Sequence, residues 1–349
     1  MPQFLRSVLL ASILFVSACA STSGVASHPL DSVLDQFDHA PAKGPNEAEL
    51  PRRTVPANPV ATPWPGRGLA QHPFLYYGEG NNVLYVVNHG RVVWTYALPP
   101  GGEIDDAWML SNGHIICTKQ SDCYEITPQK EIVWTYHSPG NTQIHSLQPI
   151  GLDQVMIVEN GLPPHLYILN KKDNSPALAH ELSAISATDP KTIHTQFRNC
   201  RITAQGTYLV PFLAEGRIEE YDRNWQKIWT VKSARPWSAV RLKNGNTLVP
   251  GDPTGFVDEI NPQGETVWAV EKDTLPGITL SDVQTASRLA NGDTLICNRG
   301  GKSPVQAVEV TPDKKIVWVL QDDQDLPACT GIQLLDEPGI PEKPGDLQR

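Results

Sequence analysis

The chain has 349 residues, with 38 acidic against 28 basic side chains and a formal net charge of −10. That balance excludes sequence-independent nucleic-acid binding, which needs a basic surface. Past the first 19 residues no apolar run is long enough to cross a membrane as a helix.

Residues 1–19 read as a targeting segment. Arg6 supplies the positive charge, and Val8 to Val16 is a mostly apolar run too short to span a bilayer. The run ends in Val16-Ser17-Ala18-Cys19, which resembles the lipobox of bacterial lipoproteins. The resemblance implies that Cys19 is acylated and becomes the new N-terminus. It also implies sorting to the outer membrane, because Ala20 rather than Asp follows the cysteine. Several acyl chains anchor firmly, since each buried CH₂ contributes about 0.8 kcal/mol. The alternative is an ordinary signal peptide cut after Ala18.

Residues 20–69 are rich in Pro, Ala and Ser, from Pro29 to Pro65, with little sustained periodicity. Such a stretch buries too little apolar surface to offset its ordering entropy and reads as a tether. Within it, Leu30-Asp31-Ser32-Val33-Leu34-Asp35-Gln36-Phe37 has the spacing of a short amphipathic helix. Residues 70–336 suffice for one large all-β domain, and 337–349 form a C-terminal tail.

Five cysteines follow Cys19, so at least one has no intrachain partner. Cys117 and Cys123 flank a short turn and are candidates for pairing across a hairpin. The other reading makes most of the five small buried residues. Their spacing is not a metal pattern.

The domain is built from near-repeats of about 40–50 residues, the signature of a β-propeller. The turns Asn112-Gly113, Asn244-Gly245 and Asn291-Gly292 each join two strands. Asn-Gly is a strong hairpin signal because both residues tolerate positive φ. Second turns carry Pro128, Pro262 and Pro312, where proline presets φ. Outer strands carry Trp94, Trp134, Trp229, Trp268 and Trp318, as packing between blades. Their gaps are 40, 95, 39 and 50 residues, so the long gap hides a sixth repeat, with its outer strand at Ala177 to His180. Aligned inner strands end at Leu110, Ile150, Ile202, Leu242, Leu289 and Leu334. Three positions earlier stand Ala107, Leu147, Asn199, Ala239, Ala286 and Gly331, mostly small, as converging strands require. The first repeat lacks an inner strand, and Gly331 to Leu335 fits the gap. The expected fold is an all-β, six-bladed β-propeller closed by its C-terminal strand, which protects the sheet edges.

Over residues 70–336 these repeats resemble bacterial propellers related to arylsulfotransferases and quinoprotein-like (PQQ-type) domains. Asn-Gly-Asn-Thr-Leu-Val at 244–249, followed by the turn and strand ending in Trp268, carries the likeness. The order Asp105-Asp106-Ala107-Trp108, Ile144-His145-Ser146 and Asp258-Glu259-Ile260-Asn261-Pro262 also looks like uncharacterised envelope propellers. PQQ-type enzymes generally have eight blades, against six here. Arylsulfotransferases have six, and rely on several histidines and an arginine, where only His145 and His194 fall near inner strands. Fold does not transfer function.

Loops entering the inner strands and loops joining second to third strands share one face, where function usually sits. They gather Asp105, Asp106, His145, His194, Arg198, Trp237, Asp282 and Gln284, with Lys119, Asn160, Asp252 and Arg299. His145 and His194 are the catalytic candidates, as base, proton donor or ligand. Each can instead bond a neighbouring blade. Asp105 and Asp106 can orient those histidines, bind a cation or serve structure, with Asp106 able to bridge to Arg198. Arg198, Arg201, Arg241 and Arg288 can converge on an anion or pair with acids between blades. Trp237 opens an inner strand and can stack on a ring. The loop from Asn298 to Pro304 lacks P-loop spacing. No cofactor or resident metal is called for by a local motif, and no compact nucleophile motif occurs, although propeller sites need none.

The leading expectation is an envelope lipoprotein that binds an anionic or carbohydrate-like ligand, or a protein partner, on its loop-rich face. The alternatives are sulfuryl transfer through His and Arg, a His/Asp metal-dependent lyase, and a pure scaffold.

Overall fold

A computed structural model describes residues 30–40, 64–299, 304–322 and 325–349. Cys19 with its targeting segment, most of the tether, and the glycines of the loop after Arg299 lie outside these residues.

The domain is a ring of six four-stranded antiparallel sheets. Blade one holds β1 (Phe74–Glu79), β2 (Val83–Asn88) and β3 (Arg91–Ala97). Blade two holds β4 (Ala107–Met109), β5 (Ile115–Lys119), β6 (Asp122–Ile126) and β7 (Ile132–His137). Blade three holds β8 (Gln143–Ile150), β9 (Gln154–Asn160), β10 (His165–Asn170) and β11 (Pro176–Glu181). Blade four holds β12 (Arg201–Ile202), β13 (Tyr208–Phe212), β14 (Arg217–Tyr221) and β15 (Lys227–Lys232). Blade five holds β16 (Val240–Arg241), β17 (Thr247–Gly251), β18 (Phe256–Ile260) and β19 (Thr266–Val270). Blade six holds β20 (Val283–Arg288), β21 (Thr294–Asn298), β22 (Ala307–Val310) and β23 (Ile316–Leu320).

The ring closes as the repeat count requires. β24 (Ala328–Leu334) pairs antiparallel with β1, from Phe74↔Leu334 to Glu79↔Ala328, and supplies the first blade's missing inner strand. Gly331 is needed there, because a Cβ would lie 2.2 Å from the Tyr77 hydroxyl. His72, just before β1, bridges Asp336 at 2.8 Å and Glu309 of β22 at 3.1 Å, tying both sides of the seam.

The core lies between blades. Strand side chains alternate between two faces, and both faces of a blade are covered. Leu84 and Trp94 meet Ala107 and Met109 in one seam, while Trp108 and Ile116 meet Leu147 and Ile157 in the next. Burying one such aliphatic side chain contributes about 1.5–3 kcal/mol, against about 1 kcal/mol net for a hydrogen bond. The apolar seams therefore carry most of the stability.

Polar contacts set the seams' register. Outer-strand tryptophans donate Nε1–H to the next blade's turn: Trp94 to Pro128 O (2.9 Å), Trp229 to Pro262 O (3.0 Å) and Trp268 to Pro312 O (2.8 Å). Trp134 uses Asn174 Oδ1 (2.7 Å), and Trp318 uses Gly68 O (2.9 Å). In blade three the tryptophan comes from the other side. Leu178 holds the outer-strand register position, and Trp225, from the turn of blade four, packs on the same cluster and stacks on His180 with ring centres 3.6 Å apart.

Two local expectations change. In the Asn-Gly turns only the glycine adopts positive φ, at 87°, 88° and 95°. The asparagine instead accepts the N–H two residues on, as Asn112 Oδ1 does from His114 at 3.0 Å. Cys117 and Cys123 cannot pair: Cys117 opposes Tyr124 and Thr118 opposes Cys123, so the two thiols point to opposite faces and into different seams.

The helix expected near Leu30 forms as α1 (Asp31–Asp38). Its face of Leu30, Val33, Leu34 and Phe37 is buried on blade one, with Phe37 edge-on to Trp94 at 5.6 Å. At the other end, residues 337–349 run back across the face of Asn-Gly turns. Glu342 takes the Ser111 N–H (3.2 Å), Gln348 takes the Lys243 N–H (2.7 Å), and Arg349 lies over Trp108 at 4.0 Å.

Candidate functional site

The loops entering blades two to five converge on the face opposite those turns. Glu103 and Asp105 precede β4. Gln143 and His145 stand two apart on β8, where His145 is the extra residue at a register shift between Ile144 and Ser146. His194 and Arg198 flank the end of a 3-10 turn (Pro190–Thr195), started by Asp189, whose side chain accepts the Lys191 N–H. Trp237 precedes β16.

Gln143 Oε1 is the hub. It lies 2.9 Å from His145 Nε2 and 3.0 Å from His194 Nδ1. A carbonyl oxygen only accepts, so both ring nitrogens carry protons there. His194 Nε2 is then free to accept from Arg198 Nη2, 3.2 Å away. Arg198 Nη1 also donates to the carbonyls of His194 and Phe197, and its guanidinium covers the Trp237 ring at 4.7 Å. The two imidazoles meet edge to face at 5.3 Å.

Behind them Asp105 Oδ2 lies 2.9 Å from His145 Nδ1, both side chains only 2 % exposed. The contact is off the axis of a hydrogen bond, and neither atom has another partner. Burial pushes the Asp105 carboxyl up to about 6, against the pull of Arg198 and His194. Burial, then Arg198 and His194, hold His145 well below its ordinary value. His194 is the open member, 48 % exposed, with the Glu103 carboxylate 4.0 Å from its Nε2.

The remaining candidates lie elsewhere. Asp106 takes two hydrogen bonds from Arg201, at 2.7 and 3.2 Å, and the Leu147 N–H at 3.1 Å. Arg241 pairs with Glu220, and Arg288 with Glu259 at 2.7 Å, so these arginines tie blades rather than converge. Asp282 and Arg299 pair with each other at 3.9 Å in blade six, and Arg235 with Asp252 at 3.2 Å in blade five. Asn160 donates to Phe197 O, and Lys119 to Gly101 O. Trp237 is buried, its ring covered by Arg198 and its Nε1 unpartnered, so it positions the arginine rather than offering an open platform. Glu103 and Gln143 are the members that sequence reasoning passed over. Each stands two residues before a chosen candidate, but Glu103 lies in the loop before β4 and His145 at a register shift, so no regular strand period marks them.

Among the described residues no group of three or more His, Cys, Asp or Glu side chains could hold a metal ion.

No protein-family model matches the chain, and no curated protein matches its sequence. Similar solved structures exist. One is a protein of unknown function from Bacteroides caccae, 25 % identical, with a TM-score of 0.67 over 75 % of this chain and 97 % of that one. Another is virginiamycin B lyase from Staphylococcus aureus, 11 % identical, with a TM-score of 0.51 over 72 % and 85 % of the two chains. The second likeness is one of fold alone.

Proposed function

We propose that this chain is a lipid-anchored envelope propeller that binds an anionic or carbohydrate-like small ligand on its loop-rich face, at the mouth marked by His194, Gln143 and Glu103. One observation carries the reading: the entries to four consecutive blades meet in one cluster, hydrogen-bonded between blades three and four, with the Glu103 carboxylate of blade two 4.0 Å from His194 and Trp237 of blade five under Arg198, and only its outer edge is open to solvent. Rigid strands hold buried groups beneath an exposed histidine, an arrangement suited to recognition. Arg198 supplies positive charge from below, held by Trp237 and by two carbonyls. The anchor rests on Val16-Ser17-Ala18-Cys19.

Binding fits the cluster better than sulfuryl transfer. A transient nucleophile needs an imidazole lone pair facing the substrate. Both nitrogens of His194 are engaged, and those of His145 face Gln143 and Asp105 below the surface.

Thermal shifts against sulfated phenols, acidic oligosaccharides and neutral sugars test the reading. A ligand that binds only the folded state adds about 2.7 kcal/mol at a hundredfold excess over Kd. A hit should vanish in His194→Ala and persist in Asp313→Asn, a change at an exposed pair far along blade six. Equal shifts in both variants would move the site off this face.

A further inference from the structure

We propose that Cys297 and Cys329 form a disulfide that staples the closing strand to the sixth blade. Cys297 lies on β21 and Cys329 near the start of β24, so the pair spans the seam where the two ends of the propeller meet. Both are buried in one cluster with Phe74, Tyr76 and Ile332. Their thiols hydrogen-bond each other, and the Ile332 N–H of the closing strand also reaches the Cys297 sulfur. The other described cysteines are differently placed. Cys117 and Cys123 face separate seams, and Cys200 sits in a third cluster, its N–H on Ser146 Oγ at 2.8 Å.

The environment also sets the two thiols apart. Burial disfavours the Cys297 thiolate, but the donors from Cys329 and Ile332 and the nearby Arg349 outweigh it and hold the thiol below its ordinary value. Burial, with the same contact, pushes Cys329 well up. In the closed ring Cys297 is therefore the more acidic of the two thiols. In the exchange, one cysteine's thiolate attacks a small-molecule or enzyme disulfide, forming a mixed disulfide and releasing one thiol. The other cysteine then loses its proton and attacks the protein sulfur of that mixed disulfide, releasing the second thiol. Two protein thiols are oxidised and one oxidant disulfide is reduced to two thiols. Because both sulfurs are buried in the closed ring, the exchange occurs before β24 docks or when the seam opens. An exported chain meets such oxidants. The inference is independent of the loop-face site, since it concerns the seam alone, and rests on the export that is part of the proposed function.

The test is refolding of the denatured chain in a glutathione redox buffer, thiol blocking, and mass spectrometry of the non-reduced digest. The expected product is one cross-linked peptide joining Cys297 to Cys329, with Cys117, Cys123 and Cys200 alkylated. The oxidised protein should melt higher than the reduced protein by roughly 5 °C or more, as closing a loop of this length implies. Cys329→Ser should lose that difference while Cys117→Ser keeps it. Should Cys329→Ser not fold, the wild-type peptide map decides alone. Recovery of both thiols alkylated, or of either joined to another cysteine, overturns the proposal.

Discussion

His145 and His194 enter the ring from different blades, yet their rings meet edge to face at 5.3 Å and share one acceptor, Gln143 Oε1. A single amide oxygen thus fixes the tautomer of both imidazoles and leaves His194 Nε2 to receive Arg198. Gln143→Leu removes that acceptor and strands the buried His145 N–H, while the exposed His194 N–H can turn to water. The expected loss is about 1–3 kcal/mol of stability, measured by denaturant unfolding, with a weaker response to any ligand of this face. An unchanged midpoint would mean the two rings are held by packing alone.

Asp105 makes the site sensitive to pH. Its folded carboxyl holds a proton up to about 6, against 3.8 for the free group. Between those values the folded state binds more protons than the unfolded, so stability falls as pH rises, and the penalty is complete above about 6. Asp105→Asn removes the ionisation. The variant should be the more stable at pH 8, by up to about 3 kcal/mol, and the advantage should fade towards pH 4. Thermal melts across that range check the sign.

His72 acts in the opposite sense at the closure seam. Hydrogen bonds and charges from Asp336 and Glu309 overcome burial and raise it from 6.5 to about 9. Its contribution is fully present below pH 6.5 and is lost as pH rises through 9. His72→Gln should cost about 1–2 kcal/mol at pH 6, discounted for partial exposure, and little at pH 10. A constant difference at both pH values would show that the charge is not what ties the seam.

Closure itself is testable by truncation. Ending the chain before Ala328 removes β24 and bares the edge of β1. Size-exclusion chromatography should find aggregate, because an unpaired apolar edge invites association. A soluble monomer would contradict closure by this strand.

The blade count was legible because the tryptophan spacing and the Asn-Gly turns repeat with the period of the fold. The third seam was not, because its indole lies in the next blade's turn. Trp225 occupies, at φ 62°, the left-handed position that Lys130, Lys314 and Gly264 hold elsewhere, and no count within blade three reveals it. Trp225→Gly should ease the backbone but lose the stack on His180 and Tyr208, lowering the melting temperature. Of the two readings open for Cys117 and Cys123, hairpin pairing is ruled out by the turn: a two-residue loop pairs Lys119 with Asp122, and that parity sends the two thiols to opposite faces. The site was half legible. Histidines, Arg198 and Trp237 stood out as residue types at strand entries, whereas Gln143 is an ordinary residue whose role appears only when two blades meet. Arg241 and Arg288 were ambiguous because Glu220 and Glu259 lie a blade away.

The most direct measurement is isothermal titration of the strongest thermal-shift ligand into the wild-type chain and His194→Ala, with the mixture then analysed for altered ligand. The expected result is saturable binding at one site, lost or weakened at least tenfold in the variant (about 1.4 kcal/mol), with the ligand recovered unchanged. Equal affinity in the two proteins would contradict a binding site at this mouth, and a ligand converted to product would contradict binding without turnover.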